Sequence, residues 1–190
     1  WMVLAWQNLS LGQLEKAEIW ASRAARTAQE RDWPAVSVRA LRMQARIHES
    51  RGEVREALAL AEQALALAER NQDLSRAASL YYLVGRLARQ LREADRARTH
   101  LERALEIARV GGLVRMQVAS ERDLAELARD RGDLEAARAH LRTAAEKARD
   151  ARLHDDLAVI ENSRGEVARK AGALDEARAA YGEALRIFAE

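Results

Sequence analysis

At 190 residues, with 32 basic against 30 acidic side chains, the chain is long enough for one or two globular domains and carries a net charge of only +2. That balance lacks the charge excess that marks a nucleic-acid protein, and the absence of cysteine excludes a disulfide framework and a thiolate metal site. Abundant alanine, Leu, Glu and Arg with a single proline, Pro34, suits helix nearly throughout and leaves little material for a sheet. The longest uncharged stretch, residues 1–14, is too short and too polar to span a membrane, and it lacks a basic leader. No membrane association is expected, and the location expected is cytoplasmic.

Taken from the N-terminus, the chain repeats itself every 40 residues. Gly12, Gly52, Gly132 and Gly172 stand in one column, with Arg92 in the remaining place. Ala17, Ala57, Ala97, Ala137 and Ala177 follow five residues later, and Ala24, Ala64, Ala104, Ala144 and Ala184 seven beyond those. A fixed period in this range marks a stacked array of helical units, each touching its neighbours. The copies run over approximately 1–33, 34–73, 74–113, 114–153 and 154–190, forming one array.

Each copy holds two helical patterns of about 16 to 18 residues, an A helix before the glycine column and a B helix after it. Small residues lie seven before that column: Ala5, Ala45, Gly85, Ala125 and Gly165. They let two helix backbones approach closely. Apolar positions in the fourth B helix follow a helical period at Leu134, Ala137, Leu141, Ala144, Ala145 and Ala148. The glycine suits the left-handed position that ends an A helix, and Asp133 is placed to cap the helix that follows. Arg92 at the glycine place predicts a strained or differently built turn. Asp32-Trp33-Pro34, Asn71-Gln72-Asp73, Gly111-Gly112 and Leu153-His154-Asp155 read as the connections between copies.

These residues resemble the tetratricopeptide repeat (TPR) family. Its pattern W-x2-L-G-x2-Y is partly met by Trp1-x2-Leu4-Ala5 and Tyr81-x2-Val84-Gly85. The A-x3-F-x2-A half is met by Ala97-x3-Leu101-x2-Ala104, Ala137-x3-Leu141-x2-Ala144 and Ala177-x3-Tyr181-x2-Ala184. The period is 40 rather than 34 and the family proline is absent, as in the long-repeat variants of kinesin light chains, Pins-type scaffolds and large bacterial regulators. The resemblance implies an all-α fold, a right-handed α-solenoid of about five antiparallel helix pairs. It also implies a protein- or peptide-binding module, the scaffold or sensor region of a larger, bacterial regulatory protein such as a LuxR-type activator or a Ser/Thr kinase fusion.

In that family the A helices line the ligand groove. Carried over column by column, the face holds Arg39, Arg42, Arg46, Tyr82, Arg86, Arg89, Arg122, Arg129, Asn162 and Arg169, with Glu49, Glu126, Glu166, Asp130 and Lys170 beside them. Nine basic and four acidic side chains on one face of a nearly neutral chain predict a groove for an acidic segment. The Asn and Lys pattern of chaperone-binding TPRs does not recur. A second reading rests on Trp1, Trp6, Trp20 and Trp33, all in the first copy. They suit either packing against a preceding repeat or self-association into a homodimer, in an array read as a fragment of a longer protein.

Other signals point to no chemistry. His48-Glu49 has no second histidine four residues on, and His100 and His140 share a column without further ligands, so they read as surface residues. Arg131-Gly132-Asp133 reads as a turn and a cap. The carboxylates are expected on solvated helix faces, and there is no phosphate loop or nucleophile arrangement. The chain is read as no enzyme, with no cofactor, no metal site and no direct nucleic-acid partner.

Overall fold

The protein is described by a computed structural model covering residues 1–189. Among the described residues there are ten helices and no strand: α1 (Met2–Ser10), α2 (Leu14–Glu30), α3 (Pro34–Ser50), α4 (Val54–Arg70), α5 (Leu74–Gln90), α6 (Ala94–Val110), α7 (Val114–Arg131), α8 (Leu134–Asp150), α9 (His154–Lys170) and α10 (Leu174–Ala189). Most span 17 residues. Odd-numbered helices are the A helices of the repeat and even-numbered ones the B helices.

The backbone repeats at half the spacing visible in the sequence. Left-handed residues occur at Gly12, Asp32, Gly52, Gln72, Arg92, Gly112, Gly132, Arg152 and Gly172, one every 20 residues. Each closes a helix with the same pair of bonds: its own amide reaches the carbonyl three residues back, and the next amide the carbonyl five residues back, as Trp33 to Ala28 (2.8 Å), Glu93 to Ala88 (2.9 Å) and Leu153 to Ala148 (2.9 Å). Arg92, at φ +64°, therefore builds the same turn as the glycines, and the expectation of a different turn is corrected. The cost of a Cβ in this region, about 1–2 kcal/mol, falls at four non-glycine positions. Asp133 caps α8 as expected, accepting from the Ala136 amide at 3.0 Å, and Asp73 does the same for α5 through Arg76 at 3.1 Å.

The chain divides into two compact units, one over Trp1–His100 and the other beginning at Leu101. In both, the alanine columns are buried, from Ala17 and Ala57 to Ala144 and Ala177. The first unit adds a cluster of Val38, Leu58, Leu65, Leu80, Leu83, Val84 and Leu87. In the second, Val118, Leu141, Leu157, Ile160, Val167 and Ile187 pack with buried alanines. Gly165 shows why the small-residue column is small: a Cβ there would stand 2.5 Å from the Tyr181 ring on α10.

The second unit also buries polar groups. Glu121 of α7 lies between Arg109 (2.8 Å) and His140 (2.7 Å), and Glu161 of α9 between Arg149 (2.9 Å) and Arg164 (2.8 Å). The expectation that the carboxylates sit on solvated faces is thus corrected for Glu121, Asp123 and Glu161, all buried. Burial alone would raise the Glu121 carboxyl, but hydrogen bonds from His140 and Arg109 outweigh it and hold it below its ordinary value. Neither His100 nor His140 is a free surface group. His140 is half-buried against Glu121, and the His100 ring lies 5.7 Å from that of Tyr81, where burial and then Arg96 lower its pKa.

Candidate functional site

The residues of the proposed groove fall on A helices of both units and differ in how their charge is met. In the first unit, α3 and α5 carry them. Arg86 is half-buried and bound to Glu49 at 2.8 Å, and Gln90 donates to the same carboxylate at 3.2 Å. Tyr82 and Arg89 are half-buried on the same helix. Arg42 makes one long contact, donating to Ser79 Oγ at 3.4 Å.

Arg39, Arg42 and Arg46 meet no carboxylate among the described residues, and they converge. Arg42 is exposed as a residue, yet burial of its charged end first, and then Arg46, Arg39 and Arg76, lower its pKa. The guanidinium stays protonated at any physiological pH, so this direction records first the partial desolvation of the group and then the repulsion of the arginines around it. The three arginines line a cleft of about 270 Å³ whose other walls are Met2, Val3, Trp6 and Met43.

In the second unit the corresponding charges are answered locally. Arg122 pairs with Asp123 (3.2 Å), Arg129 with Asp130 (3.1 Å) and Arg169 with Glu166 (2.8 Å). Glu166 also accepts from the Tyr181 hydroxyl at 2.7 Å, and these hydrogen bonds, Arg169's first, keep it well ionised. Lys170 Nζ donates to the Arg129 carbonyl at 2.5 Å, and Asn162 is exposed. Column counting treated these arginines as equivalent to those of the first unit, because it did not see the neighbouring carboxylates as partners.

Of the four tryptophans, Trp1, Trp6 and Trp33 are 55%, 56% and 46% exposed, whereas Trp20 packs against the Ala17–Ile47 cluster. Arg23 lies over the Trp20 ring at 5.1 Å and Arg31 over Trp33 at 5.2 Å. Among the described residues no three His, Asp or Glu side chains converge as metal ligands would, and no helix is long and apolar enough to cross a membrane.

Repeated helix pairs whose small-residue columns are buried and whose turns share one geometry are what a TPR array requires, and the sequence matches the MalT-like TPR region family over residues 1–188. The chain belongs to that family. Its fold is the right-handed α-solenoid of TPR-like helix pairs expected from the repeat. Among solved structures it is similar to BtubC from P. vanneervenii, at TM-score 0.86 and 24% identity over 98% of this chain and 78% of that one. It is similar to a STAND signal transduction ATPase with a tetratricopeptide repeat sensor from Pyrococcus horikoshii, at TM-score 0.83 and 18% identity, covering 98% of this chain and 29% of that one. A Rap protein complexed with Competence and Sporulation Factor matches at TM-score 0.77 and 14% identity, over 96% of this chain and 61% of that one. At these identities the likeness is one of fold. No curated protein matches by sequence.

Proposed function

We propose that the chain is a peptide-binding TPR module, the scaffold or sensor region of a larger bacterial regulatory protein, taking an acidic protein segment on its A-helix face. The observation that carries this reading is the Arg39, Arg42 and Arg46 cluster, positive charge held together with no carboxylate paired to it among the described residues. Arg86, Arg89 and Tyr82 extend the face within the first unit; Arg122, Arg129, Asn162 and Arg169 are its counterpart in the second. A Rap protein of the same fold has been crystallised with Competence and Sporulation Factor, and the array of the STAND protein is described as a sensor, which supports a ligand-binding role. Nothing in the site suggests catalysis or a cofactor, and the setting proposed is cytoplasmic signalling, including control of transcription.

Charge reversal tests it. Arg42→Glu is expected to weaken capture of an acidic peptide roughly tenfold or more, since a charge-assisted bond is replaced by repulsion. Fluorescence anisotropy reads the affinity and circular dichroism the retained helix. Unchanged capture by a fully helical variant would sink the reading.

A second reading is favoured by the exposure of Trp1, Trp6 and Trp33, a surface of the kind that anchors association between copies. Sedimentation equilibrium of the triple alanine variant should show less dimer than the parent. A parent that is monomeric throughout removes this reading.

A further inference from the structure

The cleft between α1 and α3 has two chemically distinct sides. Trp6, Met2, Val3 and Met43 form an apolar wall, and Arg39, Arg42 and Arg46 a cationic one. We propose that this cleft is the anchor subsite of the module and takes an acidic residue adjoining a large apolar one, the apolar side chain against the exposed Trp6 and Val3 and the carboxylate on the arginines. The proposal rests on the acidic-segment reading above and adds the requirement for an apolar neighbour.

Three features of the cleft select this occupant. Its volume falls below the roughly 300–1,000 Å³ of sites that enclose a whole small molecule, so it suits one or two side chains of an extended segment. Arginine forks bind carboxylates in a planar, paired geometry, and none of the carboxylates among the described residues pairs with these three. A free inorganic anion would answer the charge but leave the exposed Trp6 and Val3 surface wet. An apolar peptide would cover that surface while leaving three like charges crowded. Only a ligand carrying both groups satisfies both walls. The other arginines of the face are poorer anchors, because Arg86, Arg122, Arg129 and Arg169 already hold carboxylates that a ligand would have to displace.

Equal-length fluorescent peptides of alternating Leu-Asp, Gly-Asp and Leu-Ser sequence, titrated into the whole chain, separate the possibilities. Leu-Asp is expected to bind roughly tenfold more tightly than Gly-Asp, with Leu-Ser weaker still. Arg42→Gln and Arg46→Gln should each weaken Leu-Asp roughly tenfold, whereas Arg129→Gln should not. Trp6→Ala, which keeps the helix propensity of α1, should bring Leu-Asp down to Gly-Asp. Equal affinity for Leu-Asp and Gly-Asp, both lost in Arg42→Gln, would overturn the anchor while leaving the acidic-segment reading standing. Leu-Asp binding that ignores Arg42 and Arg46 but falls with Arg129→Gln would do the same. Inorganic phosphate competing as well as the peptide would also overturn it, as would binding of neither acidic peptide, which removes the broader reading too.

Discussion

The two compact units share a backbone period and differ in what their A helices bury. In the first, α5 turns Leu80 and Leu83 into the core, and Tyr81 beside them reaches Glu69 of α4 with its hydroxyl. Forty residues on, α7 places Ser120, Glu121 and Asp123 at those positions. Every fully buried polar or charged side chain described, Gln117, Ser120, Glu121, Asp123, Glu161 and Ser163, lies in the second unit. One architecture thus tolerates two core chemistries. The condition is that a buried carboxylate finds donors, and Glu121 and Glu161 each find two. Asp123 does so only halfway: one oxygen accepts from Arg122, and Oδ2 finds no donor among the described residues.

The sharpest way to break the contrast is Leu80→Ala. Leu80 is wholly buried, and the cavity should cost about 2–5 kcal/mol in urea unfolding. A loss below 1 kcal/mol, on the order expected of a surface change, would mean the first unit is not held by its apolar cluster. Glu121→Gln comes next. An amide can accept from only one of its two donors at full strength, so a loss of about 1–3 kcal/mol is expected at neutral pH.

The same substitution carries a pH signature. The Glu121 carboxyl is depressed in the folded chain, so its contribution is fully present above the ordinary carboxylate value of 4.5 and fades as pH falls through the lowered value. Glu121→Gln should therefore flatten the stability profile below pH 4.5, and a variant with the parent's acid slope would contradict the assignment.

Asp123→Leu imitates Leu83 of the preceding copy. Removing a buried oxygen without a donor should offset the loss of the Arg122 contact, leaving stability unchanged or raised by about 1 kcal/mol. A strong destabilisation would show that Oδ2 is satisfied in solution. The smallest effect concerns the turns. Arg92→Gly relieves a left-handed Cβ but loosens the unfolded chain, for a net gain of about 0.5–1 kcal/mol. Gly52→Ala is its mirror and should lose about 1 kcal/mol at the equivalent turn, where space is open and only φ matters.

Much of this is legible in the sequence. The 40-residue spacing of Gly12, Ala17 and Ala24 announced helix pairs, their close faces and the left-handed turns, since a buried alanine and a left-handed glycine are local demands that repeat with the unit. The 20-residue period was hidden because Asp32, Gln72 and Arg152 adopt glycine's conformation without being glycine. The buried carboxylates were hidden too, since a charge in a core column reads as surface until its partner is known. A signal did exist: Glu69 and Tyr81, Arg109 and Glu121, and Arg149 and Glu161 are each 12 residues apart, joining the end of one B helix to the next A helix.

The candidate site divides along the same line. The sequence alone determined which side chains share the A-helix face, because helical periodicity and a constant repeat length leave no freedom in that assignment. Which of those arginines carry unanswered charge follows from the packing of the helices. Pairing depends on distances of a few ångströms between different helices, as from Arg86 to Glu49, and on the gathering of Arg39, Arg42 and Arg46 beside Trp6. Electrostatic compensation is set by proximity in space, which a column of residue types does not encode.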